Sequence, residues 1–86
     1  MGERFIIEDV WFKTGQISVY LRNTGEMPIK VAAVYVDHVP QSFASLSLGL
    51  DGGGWLDVAS SWNPGGTYYI EVVTSRGTQV ADYYKA

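Results

Sequence analysis

The sequence predicts an all-β fold, an immunoglobulin-like antiparallel β-sandwich of about seven strands, from three observations. β-Branched and aromatic residues alternate with polar ones along most of the chain, glycine or proline recurs between these stretches, and no segment repeats its apolar residues at helical spacing. Without a crossover helix the strands must pair antiparallel, and two sheets packed face to face are the expected way to bury them, a small barrel being the other solution. The 86 residues, 47% of them hydrophobic, are too few for two cores, so residues 1–86 form a single domain.

The first strand is expected over Phe5 to Phe12, closed by Lys13-Thr14-Gly15, where glycine can supply the positive φ of a tight hairpin. Gln16 to Arg22 has the clearest alternation, with Ile17, Val19 and Leu21 on one face and Gln16, Ser18, Tyr20 and Arg22 on the other. At Asn23-Thr24-Gly25 the glycine is expected to turn with positive φ while the Asn side chain satisfies a backbone group. A third strand over Ile29 to Val36 sets Ile29, Val31, Ala33 and Tyr35 opposite Lys30, Ala32, Val34 and Val36; both faces are mostly apolar, which marks a central strand. Asp37-His38-Val39-Pro40 turns the chain, and Ala44, Leu46, Leu48 and Leu50 then line one face of a further strand. Asp51-Gly52-Gly53-Gly54 reads as a flexible connection to a short strand over Trp55 to Ala59. Trp62-Asn63-Pro64-Gly65 reads as a rigid corner with Trp62 against the core, because proline fixes φ and glycine permits the turn. It leads into Tyr68 to Thr74, the hairpin turn Ser75-Arg76-Gly77-Thr78, and a last strand from Gln79 to Tyr84.

Composition narrows the chemistry. There is no cysteine and one histidine, so thiolate nucleophiles, disulfides and a side-chain zinc site of the usual kind are out of reach. Asp37 and His38 are adjacent on an extended chain and point apart, with no serine nucleophile placed beside them. Asp51, Asp57 and Asp82 lack the short alternating spacing of a calcium loop, and the triple glycine lacks the lysine and following helix of a phosphate loop. No enzyme, metal or cofactor is expected. The net charge is −3, and the bases Arg4, Lys13, Arg22, Lys30, Arg76 and Lys85 are scattered, which argues against nucleic acid or anionic lipid as partner. No apolar run approaches the ~20 residues of a membrane span.

Ile17 to Ile29, with Arg22-Asn23-Thr24-Gly25 at its centre, resembles the strand, Arg/Lys-Asn-x-Gly, strand signature of immunoglobulin-like modules of the CARDB type in cell-surface proteins. Trp62-Asn63-Pro64-Gly65, followed by Tyr68 to Thr74 and Arg76-Gly77, is similar to the closing half of extracytoplasmic domains in archaeal pilin-like and archaellum-associated proteins, the archaellum stator proteins F and G among them. The resemblance spans Phe5 to Ala86. It implies a non-catalytic domain at the cell surface, contacting a surface layer, a filament component or copies of itself, and preceded in the precursor by an N-terminal membrane helix or pilin-type segment that this chain lacks.

Two readings of function follow. The first is such a module of a cell-surface assembly, an archaellum, a pilus or a surface-layer contact. The second is an accessory module binding carbohydrate or another ligand on exposed aromatics, since Trp11, Trp55, Tyr20, Tyr69, Tyr83 and Tyr84 cannot all face inward under a two-residue period. For the first, the expected contact surface is the last strand, at Gln79, Val80, Tyr83 and Tyr84, with Trp11 to Lys13 a weaker candidate. A terminal strand falls at a sheet edge whose backbone groups lack partners, and here only Asp82 deters pairing before Lys85. A homodimer is the simplest product. The same tyrosines could instead close the core.

Overall fold

A computed structural model describes residues 2–86. Among the described residues nine strands form two antiparallel sheets. They are β1 (Phe5–Lys13), β2 (Gln16–Asn23), β3 (Ile29–Val36), β4 (Val39–Pro40), β5 (Ser42–Phe43), β6 (Ser47–Leu48), β7 (Gly53–Ala59), β8 (Thr67–Thr74) and β9 (Gln79–Lys85). One sheet has the order β1-β2-β7-β5, and the other β4-β3-β8-β9, with β6 also paired to β3.

Six long strands carry the core. Ile17, Val19, Leu21, Leu56 and Val58 meet Val31, Val34, Val36, Ile70 and Val72 across the sandwich, and all ten are buried. Phe5, Ile29 and Leu48 close one end, while Phe12, Trp62 and Tyr68 pack at the other. The Trp62 indole N–H donates to the Lys13 carbonyl, so the Trp-Asn-Pro-Gly corner holds the β1–β2 hairpin.

The alternation foreseen for β3 breaks at a register shift between Val31 and Ala33. The extra residue of this bulge turns Val34 and Val36 inward with Val31 and leaves Ala33 and Tyr35 on the outer face. The strand foreseen through Ala44, Leu46, Leu48 and Leu50 is also absent as such. The chain is crossing between sheets there, so only two-residue pieces pair, Leu48 is buried, and Leu50 is 58% exposed.

Glycines 53 and 54 are no flexible connection: both lie in the β7 ladder opposite Arg22 and Leu21. A Cβ on Gly53 would collide with the Tyr20 hydroxyl, so the missing side chain makes room for the Tyr20 ring. Gly25 lacks the positive φ expected of it. Its reason is close approach, since a Cβ there would lie 2.5 Å from the Arg4 backbone N. The Asn23 side chain does serve the backbone, donating to the Met27 carbonyl (2.7 Å) and accepting from Gly25 N–H (2.9 Å).

Residues 2–4 run beside this loop, with Thr24 N–H donating to the Arg4 carbonyl (3.0 Å). The Glu3 side chain, 4% exposed, accepts hydrogen bonds from the Thr74 (2.6 Å) and Thr78 (2.8 Å) hydroxyls. The N-terminal strap is thereby pinned to the β8–β9 turn at one pole of a molecule 39 Å long. Ala86 bonds to Gly65 and Gly66 beyond the far end of β8.

Candidate protein-interaction surface

β9 pairs with β8 alone and is the free edge of its sheet. Ala86 N–H donates to the Gly66 carbonyl (2.8 Å), and Thr74 N–H to the Thr78 carbonyl (2.9 Å). Bonding direction alternates along an antiparallel strand, so the even-numbered residues of β9 exchange hydrogen bonds with β8. The N–H and C=O groups of Gln79, Ala81, Tyr83 and Lys85 therefore face outward along the edge.

The side chains divide by the same parity. Val80 and Tyr84 lie opposite Val72 and Tyr68 and pack against the core from the rim. Burial and the nearby Asp82 carboxylate raise the Tyr84 phenol above its ordinary pKa. Gln79 and Tyr83 are on the outer face, where Tyr83, 67% exposed, rests against Tyr69 with ring centroids 4.8 Å apart. Tyr69 in turn meets His38 at 5.1 Å. His38 thus sits at an exposed turn, with Asp37 Oδ1 accepting from Tyr69 N–H (2.8 Å).

Trp11 belongs elsewhere. It stands on the outer face of the other sheet, 55% exposed, its edge strand β1 being paired only with β2. Trp11 and Trp55 meet edge to face across the small Ser18 (6.0 Å, 76°), and Tyr20 meets Trp55 in the same way (5.0 Å, 65°). Arg22 extends this face by an ion pair with Glu8 (2.9 Å), which raises its already high pKa. The five residues expected to form the contact surface are therefore split: Gln79 and Tyr83 on one outer face, Val80 and Tyr84 at the rim, and Trp11 on the opposite face.

Sequence reasoning missed two features. The first is the Trp11, Tyr20 and Trp55 cluster, for which the aromatic residues gave a count but no register. The second concerns the aspartates of the edge strands. Tyr83 N–H, one of the outward-facing edge donors, donates to its neighbour Asp82 Oδ1 (2.8 Å). In β1, Val10 N–H donates in the same way to Asp9 Oδ1 (2.9 Å), while Asp9 Oδ2 accepts from the Trp11 indole (2.8 Å). The shared Asp-x-aromatic spacing of Asp9-Val10-Trp11 and Asp82-Tyr83-Tyr84 was the available signal.

Among the described residues no group of three or more His, Asp or Glu side chains could hold a metal ion. Ser18 donates to Asp57 (2.9 Å) and accepts from Gln16 (3.0 Å), with no imidazole to act as base. Two open grooves, one beside Asp57 and one between the N-terminal strap and Gly25, hold about 220 and 270 Å³, both below the ~300 Å³ at which ligand sites begin.

No family model matches the chain, and no curated protein matches it in sequence. Its fold is that of a solved structure, the archaellum periplasmic stator protein FlaG from Sulfolobus acidocaldarius, with a TM-score of 0.75 at 19% identity. The likeness covers 95% of this chain and 99% of the other.

Proposed function

We propose that this chain is a non-catalytic, immunoglobulin-like β-sandwich module of an extracytoplasmic cell-surface assembly of the archaellum-stator kind, and that it works by protein contact. The single observation that carries this reading is the end-to-end agreement of its fold with that of a stator protein. The open β9 edge beside the exposed Tyr83 supplies a surface suited to strand pairing with a filament component, a surface-layer protein or a second copy. A membrane segment ahead of the strap would leave from the Glu3 pole, opposite Ala86, and β9 would run away from the membrane.

Trp11, Tyr20 and Trp55 stand edge to face instead of forming the coplanar row that a saccharide platform needs. The test is disruption of the gene in its host followed by complementation. Lost swimming, restored by the unaltered gene, is the expected result, with the product recovered in the membrane and surface fractions. Unimpaired swimming and a cytosolic product would overturn the proposal.

A further inference from the structure

We infer that Asp82 gates the β9 edge: by capping Tyr83 N–H it holds back antiparallel pairing of β9 with β9 of a second copy, and pairing requires its release. The inference rests on the contact role proposed above, and it names the occupant and the residue that controls its access.

Topology selects the edge. β4, β5 and β6 are two residues each, too short to offer a ladder. β1 is long, but its register shifts between Ile7 and Asp9, and Asp9 caps Val10 N–H beside that bulge. A bulge and a charge together are how natural edges avoid pairing. β9 has seven residues and no register shift in its pairing with β8. Its charges are Asp82 within the strand and Lys85 at its end, and of the two Asp82 is the one that caps an outward donor.

Charge selects the register with a second copy. Pairing β9 about a two-fold axis at Asp82 would set two carboxylates in a non-hydrogen-bonded pair, ~4.5 Å apart between Cα atoms. Moving the axis to Ala81 places each Asp82 opposite Val80 of the other copy and brings two small alanines together on the axis. Gln79 of each copy then faces Tyr83 of the other, and the two pairs together need both Tyr83 N–H groups. Those are the donors that Asp82 occupies, at 2.8 Å. Asp82 lies opposite the buried Ile70 and is itself exposed at the rim, so its side chain can swing into solvent without disturbing the core.

The test compares the unaltered chain with Asp82→Ala and with Asp82→Ala combined with Ala81→Pro. Proline at 81 removes an outward N–H and leaves the bonds to β8 intact. By sedimentation equilibrium, Asp82→Ala is expected to tighten self-association by about tenfold or more, the worth of the two hydrogen bonds freed, one in each copy, and the added proline to abolish that gain. Thermal unfolding verifies that each variant is folded, and Ala81→Lys replaces the proline if it is not. By amide exchange in the unaltered monomer, Tyr83 is expected to exchange about tenfold more slowly than Ala81, a difference that Asp82→Ala erases. Equal exchange of the two amides in the unaltered chain overturns the gate. So does self-association unchanged by Asp82→Ala, or a gain that survives the edge-blocking substitution. None of these outcomes touches the cell-surface reading, which the swimming assay decides separately.

Discussion

At the scale of single residues, several side chains are explained by the backbone they serve. Asn23 is buried because its amide completes the loop between β2 and β3, reaching the Met27 carbonyl and Gly25 N–H. Gly25 has no side chain because the N-terminal strap occupies the space. Neither fact depends on a partner protein. Tyr84 yields a prediction with a sign. Its phenol is raised above the ordinary 10.0, by burial first and by Asp82 second, so the folded state favours the neutral form. The stability this gives is fully present below pH 10 and is lost as pH rises through the folded value. Unfolding temperatures measured from pH 8 to 11 should therefore fall less steeply for Tyr84→Phe than for the unaltered chain. Equal slopes would show that Tyr84 does not contribute.

At the scale of elements, the two outer edges on one side of the sandwich use one device to different effect. β1 has both a bulge and the Asp9 cap, whereas β9 has the Asp82 cap on an unbroken ladder. Removing one of two obstacles should achieve nothing. Asp9→Ala is thus expected to leave the sedimentation behaviour unchanged, in contrast with Asp82→Ala, and association on a par with that variant would mean that the bulge is no barrier. The bulge in β3 has another use: it turns Val34 and Val36 into the core after Val31 and sends Tyr35 outward beside Glu71. A strict two-residue alternation cannot foresee either bulge, because an inserted residue reverses the face of everything after it.

For the whole molecule, a thin core sets the stability. A chain of this length has about 4–13 kcal/mol of folding free energy in all, so one well-packed side chain is a large share. Leu56 is wholly buried, whereas Leu50 is 58% exposed, although both belong to apolar runs in the sequence. Leu56→Ala should cost about 2–5 kcal/mol and Leu50→Ala less than about 0.5 kcal/mol, as read from urea denaturation midpoints. Comparable losses at the two positions would mean that Leu50 is covered in the folded chain.

The sequence by itself determined the fold class, the positions of the long strands and the inward set Ile17, Val19 and Leu21, because periodicity is local and burial on one face imposes it. It also marked the corner at Trp62-Asn63-Pro64-Gly65 and the last strand as an edge. Tertiary structure alone decided which face each aromatic occupies, that Gly53 makes room for Tyr20, and that the apolar run from Ala44 to Leu50 crosses between sheets. Only the fold could separate Trp11 from Tyr83 by the thickness of the sandwich, or turn Asp82 from a mere charge into a cap on an edge donor. These depend on strand neighbours distant in sequence and on the hydrogen-bonding parity of each ladder, and one strand's own residues do not specify what lies beside it.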